Sequence, residues 1–164
     1  MEKTKTNLFA FTLIELLVVV AIMGIAATII LVDWSGARTK QQLDTSAREV
    51  EALIREGQNY ALTGFQRVAG SEPCAFRVTW GGSDYSLTYR YKSAGACTQS
   101  LVLQSYTLAN GITFSAASSV DFTLPHGDFS GATRTIVLSK LSTFHTVCVY
   151  TNGLINNIPG AACP

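Results

Sequence analysis

The chain is poor in charge and in histidine, and each shortage excludes a class of function. Of its 164 residues only 14% are charged, and the formal net charge is +1. A protein that binds nucleic acid through phosphate contacts needs a basic patch, which this composition does not provide. The two histidines, His126 and His145, do not stand at metal-ligand spacings from the cysteines, so we expect no metal and no cofactor. Ser139 and Ser142 lack the Gly-x-Ser-x-Gly context of a nucleophile, and we expect no catalytic residue and no enzyme activity.

One apolar run near the N-terminus carries a single acid, Glu15. From Leu13 to Val32 the run would cover about 30 Å as a helix, the thickness of the hydrocarbon core of a bilayer. A carboxylate in hydrocarbon costs about 2.5–3.5 kcal/mol even on the most lenient scale, so we expect Glu15 to have a partner. A free α-amino group at Phe11 of a neighbouring subunit would be such a partner, provided that residues 1–10 had been removed.

Two simpler interpretations of this run remain open. A secretory signal peptide has an apolar region of about 7–15 residues followed by a small-residue cleavage site. The run here is longer, contains an acid and is followed by Asp33-Trp34-Ser35, which is not such a site. A plain single-pass anchor explains the length of the run but leaves Glu15 without a role.

The sequence Ala-Phe-Thr-Leu-Ile-Glu-Leu at residues 10–16 resembles the class III signal of type IV pilins and type II secretion pseudopilins. The resemblance implies that a prepilin peptidase cuts between Ala10 and Phe11 and that Phe11 is then N-methylated. It also implies that Glu15 pairs with the N-terminal amine of a neighbouring subunit during filament assembly. Ala10 stands where the family usually has glycine, and because alanine is also small we expect cutting to persist.

All four cysteines lie after the apolar run, and none stands in a C-x-x-C spacing. An even number of cysteines beyond a predicted membrane span is typical of disulfides formed outside the cytoplasm. Three pairings are possible, and we favour Cys74–Cys97 and Cys148–Cys163 because each pair brackets a compact local unit. Each bond would contribute about 3 kcal/mol in the chain-entropy account. Four reduced, partly buried thiols are the open alternative.

The apolar run is followed by a second helical pattern. No proline occurs before Pro73, and apolar residues recur at spacings of three, four and seven at Leu43, Ala47, Val50, Ile54 and Ala61, which predicts an amphipathic helix. Thr63-Gly64 is a helix stop, because glycine can adopt the left-handed conformation that closes a helix.

After Pro73 the apolar period changes to two. The alternating apolar positions are Phe76, Val78 and Trp80, then Tyr85, Leu87, Tyr89 and Tyr91, on either side of a Gly-Gly-Ser-Asp turn. This pattern predicts a β-hairpin, and the aromatic residues are explained by core packing more simply than by a binding face. Further strands are expected up to residue 151.

These patterns predict an α+β fold. It is type IV pilin-like, with one long N-terminal helix, membrane-spanning in its first half and amphipathic in its second, packed on an antiparallel β-sheet domain. We expect a prepilin leader peptide over 1–10, a transmembrane, filament-core helix over 11–33, an amphipathic helix continuing the anchor over 34–64, and a disulfide-containing antiparallel β domain over 65–164. The expected localisation is a single-pass cytoplasmic (inner) membrane protein with an extracytoplasmic C-terminal domain, assembled into a pilus or pseudopilus.

The C-terminal half carries a second, looser resemblance. Residues 120–127, 135–138 and 147–149 and the Asn152-Gly153 turn resemble the corresponding turn, strands and closing turn of GspH/FimT-type pseudopilins. Some minor pilins of this type bind DNA through basic residues near the closing turn. Residues 152–157 here contain no lysine or arginine, so a DNA-binding uptake role is disfavoured.

Together the two resemblances imply a structural subunit, a minor pilin or pseudopilin of a type IV pilus or type II secretion filament. Its expected partners are other pilin or pseudopilin subunits, the prepilin peptidase/N-methyltransferase, the inner-membrane assembly platform and the membrane itself, with nucleic acid disfavoured. Two alternatives remain open, a major pilin and a membrane-tethered extracytoplasmic binding module. A hydrolase is disfavoured because no nucleophile–base pattern is present.

Overall fold

The computed structural model describes residues 12–129 and 131–164, without the side chains of residues 28–35 and 128. The chain divides into two compact units between Arg38 and Thr39. Helix α1 spans Leu13–Thr63, so that its residues 13–38 belong to the first unit and its residues 39–63 to the second. The predicted leader over 1–10 lies outside the described residues.

The predicted membrane-spanning first half of the helix is wrong, and with it the fold class built on that helix and the single-pass inner-membrane localisation. Within residues 12–129 and 131–164, no helix is both long and apolar enough to cross a membrane. The apolar stretch with described side chains runs from residue 13 to 27 and includes Glu15.

The second unit is mostly antiparallel sheet. In the described part of the chain its strands are β1 Glu72–Gly81, β2 Asp84–Ser93, β3 Ala96–Thr107, β4 Thr113–Phe114, β5 Ser118–Thr123, β6 Asp128–Phe129, β7 Arg134–Lys140, β8 Thr143–Val149 and β9 Ile155–Pro159. They form two sheets, ordered β3-β2-β1-β5-β6 and β4-β7-β8-β9. The single sheet of the prediction is therefore corrected to two. The division arises because β5 returns to pair with β1, whereas β7, β8 and β9 pair with one another in sequence.

The predicted hairpin is present as β1 and β2. Its register sets Phe76 opposite Tyr89, Val78 opposite Leu87 and Trp80 opposite Tyr85, and the aromatic and branched side chains of these pairs are buried. Such cross-strand pairs stabilise a sheet by about 0.2–1 kcal/mol each. Gly82 opens the two-residue loop with a φ of 61°, a conformation that glycine adopts without strain.

The core of the second unit lies between the helix and the sheets. Leu43, Ala47, Val50 and Ile54 are fully buried and belong to the same apolar cluster as side chains from both sheets. The predicted amphipathic stripe therefore faces the core. Polar contacts hold the helix to the second sheet as well, since Arg55 Nη2 donates to the carbonyl oxygen of Ile155 at 2.9 Å.

The helix ends where the sequence predicts. Gly64 has a φ of 64°, and the backbone N–H of Phe65 donates to the carbonyl oxygen of Tyr60 at 3.1 Å. This is the Schellman arrangement, in which the residue two beyond the last helical position also packs back on the helix. The rings of Tyr60 and Phe65 are stacked with centroids 4.6 Å apart.

Candidate functional site

Glu15 lies in the first turn of α1, in contact with Thr12. The backbone N–H of Glu15 donates to Thr12 Oγ1 at 3.4 Å, and the Thr12 hydroxyl donates to Glu15 Oε2 at 3.5 Å. Threonine followed three residues later by glutamate is the capping-box signature of a helix N-terminus, and a carboxylate there is also favoured by the helix dipole. Sequence reasoning missed this capping role of Glu15, although its signal stands in the sequence.

The helix that follows is apolar on all sides and exposed within its unit. Every side chain from residue 13 to 27 is exposed, including Leu13 at 83% and Met23 at 66%. Consecutive large apolar residues occur through this segment, and at 100° per residue they cover the whole circumference of the helix. Contiguous apolar surface of this kind marks a site of interaction with another apolar partner. We call residues 13–27 the apolar helix segment.

The other two predicted processing residues, Ala10 and Phe11, lie outside the described residues. Of the predicted N-terminal site, the structure therefore places only Glu15. Cleavage after Ala10 and N-methylation of Phe11 stay predictions.

Two disulfides cross-link the second unit. Cys74 in β1 is bonded to Cys97 in β3, with Cα atoms 6.3 Å apart, so that the bond bridges the two neighbours of β2. Cys148 in β8 is bonded to Cys163 near the end of the chain, with Cα atoms 5.8 Å apart. Cys148 is fully buried, and the bond attaches the tail after β9 to the second sheet.

The two histidines stand in different surroundings. His126 is exposed in the turn after β5, whereas His145 in β8 is buried and its ring nitrogen is hydrogen-bonded to the side-chain oxygen of Asn157 in β9. The same nitrogen lies 3.8 Å from Asp44 Oδ1 on the helix. Among the described residues, no group of three or more histidine, cysteine or acidic side chains could hold a metal ion.

A groove runs between the helix and β3, and sequence reasoning did not anticipate it. It has a volume of about 400 Å³, and Glu49, Glu56, Tyr85, Gln104 and Tyr106 are among its lining residues. The Tyr60 hydroxyl donates to Glu56 Oε1 at 2.5 Å, and Gln104 Nε2 donates to the same oxygen at 2.8 Å. The hydrogen bond to Glu56 raises the pKa of Tyr60. Burial raises the pKa of Tyr85, because the low-dielectric surroundings disfavour the phenolate.

No protein-family model matches the chain, and no solved structure gives a significant match. Over 52 residues the chain is 38% identical to the type II secretion system protein H of Aeromonas hydrophila. The matched segment is 32% of this chain and spans only 28% of the length of the Aeromonas protein. This partial similarity supports a pseudopilin-like relationship and nothing finer.

Proposed function

We propose that this protein is a structural subunit of a type II secretion filament, a minor pseudopilin that assembles through the apolar helix segment. The observation that carries the proposal is the exposure of that segment around its whole circumference, with Glu15 as its one charge. Type IV pilins and pseudopilins share the same kind of N-terminal motif, so the motif does not separate them. The partial similarity to a type II secretion system protein favours a pseudopilin.

Apolar burial supplies the driving force for this assembly. Each leucine, valine or isoleucine side chain that leaves water contributes about 1.5–3 kcal/mol, and the segment exposes several of them, among them Leu16, Leu17 and Ile22. Neighbouring subunits that pack their segments side by side would cover these side chains. The same packing would take Glu15 out of water.

A buried carboxylate is stable only if it is paired. The α-amino group of Phe11 in a neighbouring subunit would provide the pair after cleavage behind Ala10, and it would fix the register of the two helices. The partners of the chain are accordingly other pseudopilin subunits and the peptidase that removes the leader. The bond between Thr12 and Glu15 would hold the carboxylate at the helix start until the neighbour arrives.

The second unit supports a structural rather than an enzymatic role. Its polar side chains join elements of the fold to one another, as Arg77 and Asp121 join β1 to β5 and His145 and Asn157 join β8 to β9. Its two disulfides brace the sheets against unfolding.

Site-specific photo-cross-linking tests the proposal. A photo-reactive residue at Leu17, which is 60% exposed, should give a ladder of subunit adducts in cells, whereas the same residue at Leu141, which is 88% exposed in the second unit, should not. Glu15→Ala in the Leu17 background should weaken the ladder when the variant competes with wild-type subunits. Recovery of the Leu17 variant only as monomer would refute assembly through this segment. A ladder that Glu15→Ala leaves unchanged would refute the role of Glu15.

A further inference from the structure

Strand β3 is an uncharged edge strand. It pairs with β2 on one side and stands last in its five-stranded sheet, and in the described part of the chain no strand pairs with its other side. Natural proteins protect long edges with charged residues, proline or short strands. β3 has 12 residues, none of them charged and none proline, so its outer side offers backbone donors and acceptors between the bulges of the strand.

The side chains of β3 add apolar surface to that edge. Leu101 is 41% exposed, Val102 59% and Tyr106 47%. Two register shifts interrupt the pairing with β2, one between Leu87 and Thr88 and one between Tyr91 and Ser93, and the pairing continues on both sides of each. An uncharged, exposed edge of this length is a site for the addition of a further strand.

The groove described above lies beside this edge and is acidic. Glu49 is exposed at its rim, and the rings of Tyr85 and Tyr106 are stacked with centroids 5.5 Å apart within its lining. Carboxylates and aromatic faces together attract a cation. The chemistry of this acidic groove therefore fits a lysine or arginine side chain.

A second groove lies further along the same edge, and more of its lining is apolar than polar; we call it the apolar groove. It has a volume of about 310 Å³ and is lined chiefly by Tyr60, Phe65, Leu101 and Leu103, with Arg67 beside them. Gln104 borders both grooves. An aliphatic or aromatic side chain fits this apolar groove.

We propose that the β3 edge binds an extended segment of a partner protein as an additional strand. Side chains two residues apart on a strand point to the same face and are about 6.8 Å apart, so that neighbouring inward side chains of the segment can enter the two grooves. One of them is basic and enters the acidic groove, and another is apolar and enters the apolar groove. The β3 edge of a second copy contains no basic residue and cannot supply the cation, which favours a different partner.

This proposal does not rest on the proposed function, because every residue that it uses lies in the second unit. The test uses the full chain in a mild non-ionic detergent, which covers the apolar helix segment. The probe is a blocked eight-residue peptide with threonines on one face and, on the other, a lysine and a phenylalanine two residues apart. We expect it to bind and to protect from hydrogen exchange those β3 amides that point away from β2.

Two peptide controls separate strand addition from simple contact. A peptide with glutamate in place of lysine should bind at least about tenfold more weakly, a difference of about 1.4 kcal/mol. A peptide whose edge-facing amides are N-methylated should not bind, because it cannot donate to β3. Equal binding of either control would overturn the proposal.

Charge reversal on the protein completes the test. Glu49→Lys should weaken binding of the lysine peptide about tenfold and strengthen binding of the glutamate peptide, since the sign of the groove is inverted. Glu72→Lys makes the same change at a residue that is 69% exposed and paired with Lys92, away from the groove, and should leave both affinities unchanged. An equal effect of the two variants, or protection of the β3 amides by self-association before any peptide is added, would overturn the proposal.

Discussion

Arg77 and Asp121 face each other across β1 and β5 and are joined by two parallel hydrogen bonds. Arg77 Nε donates to Asp121 Oδ1 at 2.7 Å, and Arg77 Nη2 donates to Oδ2 at 2.6 Å. The hydrogen bond raises the pKa of Arg77. Both side chains are only about two-thirds buried, so solvent screens part of this interaction. We therefore expect the pair to make a modest contribution to the attachment of β5 to β1.

Arg77→Lys tests the geometry of this pair. Lysine keeps the charge but cannot form two parallel bonds to one carboxylate, so we expect a loss of about 1 kcal/mol in the free energy of unfolding, measured by urea denaturation. The matched control is Lys92→Gln, which removes the exposed partner of Glu72 and should cost less than about 0.5 kcal/mol. Equal losses in the two variants would contradict a special role for the bidentate pair.

Tyr60 makes stability depend on alkaline pH. Its pKa is raised by the hydrogen bond to Glu56, so the folded state favours the neutral phenol. The stabilisation is complete below the ordinary tyrosine pKa of about 10 and is lost as pH rises through the higher folded value. Tyr60→Phe should cost about 0.5–1.5 kcal/mol near neutral pH and should make the decline of stability above pH 10 shallower. Urea denaturation across this pH range measures both effects. If the free energy of unfolding of Tyr60→Phe declined above pH 10 as steeply as that of the wild type, the role of Tyr60 would be contradicted.

Gly57 permits the close approach of the helix to the first sheet. A Cβ at this position would lie 3.0 Å from Leu87 Cδ1 and 3.3 Å from Val78 Cγ2, and both side chains are fully buried. Alanine would gain about 1 kcal/mol of helix propensity, but overpacking a core costs about 1–3 kcal/mol. We therefore expect Gly57→Ala to destabilise the protein by about 1 kcal/mol. In a Leu87→Ala background the same change should stabilise it, and a double-mutant cycle followed by thermal unfolding measures the coupling.

The Cys148–Cys163 disulfide holds the C-terminal tail. The loop that it closes spans 15 residues, for which the chain-entropy account gives about 3 kcal/mol. Cys163→Ser should lower the midpoint of thermal unfolding and expose the tail after β9 to proteases, while the helix keeps its circular dichroism signal. Non-reducing peptide mapping of the wild type should recover the pairs Cys74–Cys97 and Cys148–Cys163. Recovery of mixed pairs would contradict the arrangement.

Processing at the N-terminus has a direct readout. Intact-mass analysis of assembled protein should show a chain that begins at N-methylated Phe11. Ala10→Gly should be cut at least as well as the wild type, because a small residue is retained, whereas Ala10→Leu should block cutting. Assembled material that still carries residues 1–10 would refute the processing.

Local patterns made part of this fold predictable. The β1–β2 hairpin follows from the alternation of Phe76, Val78 and Trp80, and the end of α1 follows from Gly64. Both features depend only on residues close together in the chain. The pairing of Val78 with Val120 joins residues far apart in the chain, and no local pattern specifies it. The grooves beside β3 are likewise formed between distant elements. The membrane span was predicted from the apolar composition of one segment, and no helix among the described residues is long and apolar enough to cross a membrane.

The Cys74–Cys97 bond has a mechanical consequence for any partner that pulls on the edge of the sheet. Strand β3 is otherwise attached through its hydrogen bonds to β2, which could be peeled apart one after another under load. The covalent bond carries the force past β2 to β1, in the middle of the five-stranded sheet. A pull at the start of β3 is thereby converted into a load on three strands at once, so that the edge resists unzipping.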